Sequence, residues 1–517
     1  MATPNASDTR GLTWYNILAV SCFSMGAIFW GYDIGILSTV LVAPGYLTAL
    51  KNPSSGESGL IVAIFSVGSW LSYAFVAGPV NDRLGRRWSG VTGVAVLCVG
   101  AGLQAGAVHL AMMVIGRFIA GVGTGIVATA VPLYLSETSP ARYRGAIITL
   151  NQVGISLGIS IAFWIGYGFS FWRAGNGESL EWRLSILIQY VPAVIFCVGA
   201  PFLCESPRWL LEHDQLEAAA KALTDLRGSD RPEFIQAELE EIRASILWHK
   251  ENSISDAKVF IKDRALWARL WRAWALQFLQ QLSGASGIRY YLPSNFRGAG
   301  ASESLSLLAS GIDGTVMAAC TIAAILLVDR IGRRHSLGLG AAIMALSLLM
   351  NGALQTRYPN QSNVAANNCS IFFIFFFSLG YSIGFGPTAW IYAAETFPAH
   401  VRARGLGIAA SGASLGGIIV GQVWPVAVAS IGARTYFVFT AINVFSIVLV
   451  YTMYPETKGL TLEEIDSHFG KSNFHSETEA TPKAMLGTES NMLKSTGLAR
   501  HEDILILTKS DRMASNA

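Results

Sequence analysis

DRLGRR, residues 82–87, and DRIGRR, residues 329–334, decide the reading of this chain. Each is a short basic string placed directly after a long apolar run. Two further pairs recur in the same order at nearly the same spacing. Glu137 in SETSPARYRG matches Glu395 in AETFPAHVRARG, and Glu205 in ESPRW matches Glu456 in PETKG. Three pairs at one spacing are not an accident of composition. The chain is built as two similar halves.

The composition points to a bilayer. Of the 517 residues, 52% are apolar and only 14% are charged, where a water-soluble domain carries about 25%. Mean hydropathy is +0.43. A net charge of +3 is too small to indicate nucleic acid as a partner. The six cysteines lie mostly inside apolar runs, without paired or metal-ligand spacing, and read as small core residues. No metal cluster, nucleophile constellation or phosphate loop emerges, so neither an enzyme nor a cofactor is expected.

About 20 apolar residues cross a bilayer as a helix, because every backbone amide must be satisfied internally there. Twelve such spans are expected, over 15–38, 57–79, 89–107, 109–134, 145–168, 183–203, 267–292, 304–328, 336–355, 369–394, 403–428 and 433–454. The fold class is therefore all-α integral membrane. Residues 1–14 form a polar N-terminus with no cleavage pattern, so the first span reads as a retained anchor. One six-helix half covers 15–203 and the other 267–454. Between them, 204–266 mixes charged residues and alanine at helical spacing, as short amphipathic helices would. The tail, 455–517, is polar and expected to be mostly disordered. Lys and Arg crowd the loops that carry the repeated strings, which places both termini in the cytoplasm.

With these strings the chain resembles a sugar porter of the major facilitator superfamily, most like fungal members, over roughly 12–470. GRFIAGVGTG at 116–125, NQVGISLG at 151–158, QQLSG at 280–284 and GFGPTAW at 384–390 add to the likeness. ESPRW and PETKG together are specific to sugar porters, whereas one DRxGRR marks only the superfamily. Cys204 stands where the family usually has Pro. The resemblance implies two six-helix halves related by a pseudo-two-fold axis, a multi-pass plasma-membrane protein and a monomer.

In such porters the signature loops form inter-helix ion pairs that hold the outward-open state and break on closure. That role would fall here to Asp82, Arg83, Arg86, Glu137, Arg144, Glu205 and Arg208 in the first half. Its counterparts in the second are Asp329, Arg330, Arg333, Glu395, Arg402 and Glu456. The plainer reading is that these charges stop helices and set topology. The family places sugar ligands at the positions of Gln152, Gln280, Gln281 and Trp390. An amide offers both donors and an acceptor to sugar hydroxyls, although it can also be inter-helix glue. Tyr290 and Tyr291 add aromatic faces, and one of them can serve instead as the outer gate.

The second half departs from the family. Ser286 replaces an expected Asn, Met317 takes the place of another, and Ala413 and Ser414 stand at the usual polar or aromatic pair. Arg289 appears three residues after Ser286, on the same helical face. A cationic fork in that place suits a carboxylate, so an acidic sugar such as galacturonate, or a polyol acid such as quinate, is the expected cargo. A neutral hexose or pentose stays open, as does an Arg289 that snorkels to the interface. Asp33, in GYDIG at 31–35, is a carboxylate costly to ionise in an apolar helix, and the resemblance pairs it with Arg117. Together they imply proton symport; a passive uniporter and a non-transporting sensor are the alternatives. The sequons at Asn360 and Asn368 fall in an outer loop, with Asn368 expected to lie too close to the membrane, while the one at Asn5 should be silent.

Overall fold

The structure, a computed structural model, describes residues 13–140, 144–172, 177–228, 232–251, 260, 263–359, 362–397 and 401–458. The expected disorder of the tail and the sequons at Asn5 and Asn360 lie outside the described residues. Among those described, the regular elements are all helical. Nine helical runs are long and apolar enough to cross a membrane. Two of them, Ser55–Ala105 and Arg404–Met453, hold two crossings each, turned at Gly85 and Gly432, where φ is 81° and 59°. Such positive φ values suit glycine, which has no Cβ to clash. One more crossing, the seventh in chain order, begins in Arg264–Gln280, whose early basic residues mask its apolar character. Twelve crossings result.

They are labelled in chain order. The first half holds α1 (Trp14–Val40), α2 (Ser55–Leu71), α3 (Ala77–Ala105), α4 (Leu110–Thr138), α5 (Arg144–Phe169) and α6 (Gly177–Leu187 with Tyr190–Gly199). The second holds α7 (Arg264–Gln280), α8 (Glu303–Ile331), α9 (Arg333–Arg357), α10 (Val364–Ile383), α11 (Arg402–Ile431) and α12 (Thr435–Met453). The break at Gly85 lies inside α3, so the first turns of α3 complete the second crossing.

Without a hydrophobic drive between helices in lipid, close approach depends on small residues. At Gly31 an added Cβ would stand 2.0 Å from the Ile155 carbonyl oxygen, and at Gly158 2.2 Å from that of Ile28. These two contacts set α1 hard against α5. Between the halves, α5 meets α8 through hydroxyls: Ser160 Oγ to Thr315 Oγ1 at 3.2 Å, and Ser156 Oγ donating to Thr321 Oγ1 at 3.3 Å.

Four expected spans are not single helices: 57–79 passes through a π turn at Ser72–Val76, 183–203 divides between Leu187 and Tyr190, and two break within the second half. After α7 the chain makes a π turn, Gln281–Ala285, with Gly284 at φ 95°, and resumes helix over Ser286–Tyr290. The freed carbonyls are caught by side chains, with Asn443 Nδ2 donating to the Ser283 oxygen at 2.8 Å. Likewise α10 ends at Gly384 and continues as Phe385–Thr396. Broken helices of this kind persist at membrane depth where protein or a cavity satisfies the backbone.

The linker forms helices Pro207–Glu212, Leu216–Arg227 and Pro232–Glu251, packed together through Leu210, Leu211, Ala219, Ala222 and Ile246. It is tied to the first half: Asn16 Nδ2 donates to the Leu226 oxygen at 2.5 Å and Arg227 Nη1 to that of Thr138 at 2.9 Å. Residues 1–255 with 270–459 form one compact unit, and 256–269 with 460–517 a second. Within the latter, Asp263 Oδ1 accepts from the backbone N–H of Ala265 at 2.8 Å.

Candidate functional site

In the first half a buried ion pair joins α1 to α4. Asp33 Oδ2 lies 2.7 Å from Arg117 Nη1, with side chains 1% and 0% exposed. Arg117 also donates from Nε to the Ile61 oxygen at 3.4 Å and stacks 4.3 Å over the Phe65 ring. One atom of each partner, Asp33 Oδ1 and Arg117 Nη2, has no hydrogen-bond partner among the described residues. Beside Arg117 stands Tyr290, contributed by the other half. The proton-site candidates and a substrate-site candidate therefore meet.

In the second half the break in α7 presents a row of polar groups. Gln280 is 2% exposed, and its Nε2 donates to the Phe385 oxygen at 2.7 Å, the Gly386 oxygen at 3.2 Å and the Tyr381 hydroxyl at 3.2 Å. Its Oε1 stays unpartnered. Gln281 is the converse: its Oε1 accepts from Ser286 Oγ at 2.5 Å, which leaves its amide NH2 as the open end. Arg289 is half-buried, with its guanidinium 4.1 Å over the Tyr381 ring and Nη2 unpartnered. It does not snorkel outward. Tyr291 donates to the oxygens of Gly421 at 3.2 Å and Ser58 at 3.3 Å, so it bridges the halves at the end opposite the signature strings. Gln152 and Trp390 are half-buried in α5 and in the continuation of α10.

A residue passed over in the sequence also belongs here. Asp313 of α8 is 3% exposed; its Oδ2 accepts from Ser378 Oγ at 2.9 Å and its Oδ1 is unpartnered. Arg289 is the cation that acts on it electrostatically. The signal was available, since Asp313 is a lone carboxylate in an apolar helix just as Asp33 is.

At the signature end each half builds one cluster. In the first, Arg86 forks onto Glu137 with Nε at 3.0 Å and Nη2 at 3.1 Å. Ser206 Oγ also donates to Glu137. Glu205 accepts from the backbone N–H groups of Arg86 at 2.9 Å, Arg87 at 3.1 Å and Ser206 at 2.9 Å. In the second, Arg333 forks onto Glu395 at 2.7 and 3.2 Å, and Thr457 Oγ1 donates to Glu395 at 2.8 Å. Glu456 accepts from the N–H groups of Arg333, Arg334, Thr457 and Lys458 at 2.8 to 3.0 Å. The ion pairs cross between helices but stay within their own half.

Burial pushes the Glu205 and Glu212 carboxyls up from the ordinary carboxylate range. Burial also acts on Glu456, but its four backbone donors outweigh it and hold the carboxyl down. Arg208 is half-buried beside Glu212. Asp82, Arg83 and Arg330 are exposed, and the backbone oxygens of Asp82 and Arg330 accept from Trp209 Nε1 at 2.9 Å and Lys458 Nζ at 2.6 Å. The side chains of Arg144, Asp329 and Arg402 lie outside the described residues. Among those described, no group of three or more His, Cys, Asp or Glu could hold a metal ion.

Residues 19–469 match the family model described as Sugar (and other) transporter. The chain is 33% identical over 457 residues to the MFS-type transporter criB of Aspergillus cristatus, covering 87% of this chain and 93% of that one. It is 31% identical over 476 residues to the High-affinity glucose transporter of Kluyveromyces lactis, covering 87% and 85%. Among solved structures it resembles the partially occluded inward-open xylose transporter XylE from E. coli. The TM-score is 0.73 at 23% identity, over 87% of this chain and all of that one. That likeness is one of fold, twelve helices in two six-helix halves.

Proposed function

We propose, from the premise that this chain belongs to the sugar porter family of the major facilitator superfamily, that it couples a proton to monosaccharide uptake. The single observation that carries the coupling is the Asp33–Arg117 pair, fully buried and each partner left with an open atom. A buried charge without its partner is costly, so protonating Asp33 would set Arg117 free to seek another contact. Tyr290 stands beside Arg117, so that change reaches the α7 segment next to the substrate.

Substrate contacts fall to Gln152, Gln280, Gln281, Ser286, Arg289, Tyr290, Tyr291 and Trp390. Gln280 presents a carbonyl and Gln281 an amide NH2, a pair suited to neighbouring hydroxyls, each of which donates and accepts. The two clusters at the signature end serve as the cytoplasmic latch, opening and closing with the halves. The Lys/Arg bias of the loops puts that end and both termini in the cytoplasm, with the plasma membrane as the site of action. An acidic sugar is the second reading, favoured by the unpartnered Nη2 of Arg289.

The test is uptake of labelled sugar in a transporter-null cell, with and without a protonophore. Asp33→Asn should lower accumulation at least about tenfold while sugar exchange persists. Accumulation that ignores both the protonophore and the substitution would leave a uniporter.

A further inference from the structure

We infer that Asp313 is a second proton-binding group, neutral in this structure, that gives up its proton when Arg289 closes on it. This adds a site in the second half to the proton-coupled reading above, and rests on that reading for its place in the transport cycle.

Asp313 lies near the middle of the apolar span Glu303–Ile325 of α8 and is 3% exposed. Its Oδ2 has one hydroxyl partner, Ser378 Oγ at 2.9 Å, and its Oδ1 has none. Among the described residues no cation forms an ion pair with it. The first half shows what a charged carboxyl requires in such a place, since Asp33 is met by Arg117 at 2.7 Å. A buried carboxyl with one hydroxyl neighbour lacks that compensation, and such a group takes a proton instead. The contact with Ser378 serves a neutral carboxyl equally well, because a hydroxyl accepts as readily as it donates.

The charged and titratable groups around Asp313 are few. Arg289, on the continuation of α7, acts on it across space, and Cys320 shares its helix. α10 brings Ser378 and the Tyr381 ring, which carries the Arg289 guanidinium at 4.1 Å. α5 meets α8 through Ser156, Ser160 and Trp164, which do not titrate. Arg297, from the helix Leu292–Gly298, is drawn to Glu303 at 3.5 Å. α9 carries charge only at its two ends, and the continuation of α10 only in Glu395, which Arg333 holds. The one cation able to change the state of Asp313 is therefore Arg289.

One short helix connects the two carboxyls. Ser286–Tyr290 carries Arg289, which acts on Asp313, and Tyr290, which stands beside the Arg117 partner of Asp33. When Asp33 takes a proton and Arg117 seeks another contact, Tyr290 shifts with it and Arg289 moves too. A guanidinium brought onto Asp313 favours the charged form. The carboxyl O–H bond breaks, the proton passes to water, and the carboxylate left behind pairs with the open Nη2 of Arg289. One carboxyl is loaded as the other is unloaded.

The test is infrared spectroscopy of the full chain in proteoliposomes, where a protonated carboxylic acid shows a C=O stretch that an ionised one lacks. At about pH 7 the parent should show such a band, which Asp313→Asn removes and Asp33→Asn keeps. In Arg289→Met and in Ser378→Ala the band should persist about one pH unit further toward alkali, because each loses a group that favours the charge. These two variants keep the idea testable if Asp313→Asn does not fold. Under an inward proton gradient, Asp313→Asn should accumulate glucose or xylose about threefold less than the parent. A spectrum that Asp313→Asn leaves unchanged, a band that ignores Arg289→Met, or an Asp313→Asn variant that accumulates as the parent does overturns the inference. The proton-coupled reading fails separately, if accumulation by the parent ignores a protonophore while Asp313 keeps its band.

Discussion

At the signature end of the first half, Arg86 forks onto Glu137, a Ser206 hydroxyl joins them, and Glu205 gathers backbone N–H groups. At that of the second half, Arg333 forks onto Glu395, a Thr457 hydroxyl joins them, and Glu456 does the gathering. The interiors share no such pattern. One half closes Asp33 on Arg117 at 2.7 Å, while the other leaves Arg289 and Asp313 apart, each with an open atom. The difference separates two kinds of constraint. A carboxylate that ties down a loop serves the backbone, and any duplicated loop of that geometry needs it. The interior polar groups are not tied to a repeated loop, and there the halves are free to differ.

The strongest way to break the comparison is to remove one ionisable side chain from each interior. Arg117→Met strands Asp33 in a fully buried place, and losing one partner of such a pair costs about 3–5 kcal/mol. Asp313→Asn should cost less, below about 1 kcal/mol, because among the described residues no cation pairs directly with Asp313, Arg289 keeps its place over the Tyr381 ring, and Ser378 can still donate to the amide oxygen. Thermal unfolding in detergent measures both. Equal losses would mean that Arg289 and Asp313 are coupled as tightly as the first-half pair.

A smaller effect sharpens the likeness of the two signature clusters. Ser206 Oγ and Thr457 Oγ1 donate to matching carboxylates, but Ser206 also caps the helix Pro207–Glu212 by accepting from the Trp209 N–H at 3.3 Å. Ser206→Ala should therefore cost about 2 kcal/mol against about 1 for Thr457→Val, the excess being the cap. Unfolding midpoints decide it, and equal costs would show that the cap contributes little.

How far the sequence carried depended on repetition. Twelve crossings, the linker helices and the membership of Arg86, Glu137, Arg333 and Glu395 in the signature clusters were legible because each signal appears twice or follows a length rule, whereas which arginine pairs with which carboxylate was not. Ser206 and Thr457 were hidden in those same strings, since nothing in a string says which hydroxyl turns toward which carboxylate. The break after Gln280 was missed because Gly284 sits in a run apolar enough for one straight helix. Asp313 was readable by the logic applied to Asp33 but had no counterpart in the other half to draw attention. The approach of Tyr290 to Arg117 is a long-range consequence of packing that no local pattern encodes.

The finest contrast is one of pH. Burial raises the Glu205 carboxyl, so the fold binds its proton more readily than the unfolded chain does. Its stabilisation is then complete below the ordinary carboxylate range and is lost as pH climbs through the raised value. Glu456 is lowered, because backbone donors outweigh its burial, and Arg333, Lys458 and His335 (Nδ1 at 3.5 Å) stand around it. Its stabilisation is present above the ordinary range and lost as pH falls. Acidification should therefore favour the first cluster and weaken the second. The gap in melting temperature between the parent and Glu205→Gln should narrow from about pH 4 to about pH 8, while that for Glu456→Gln widens. Gaps that move in the same direction would mean that the two carboxylates, so alike in their bonds, are also alike in their surroundings.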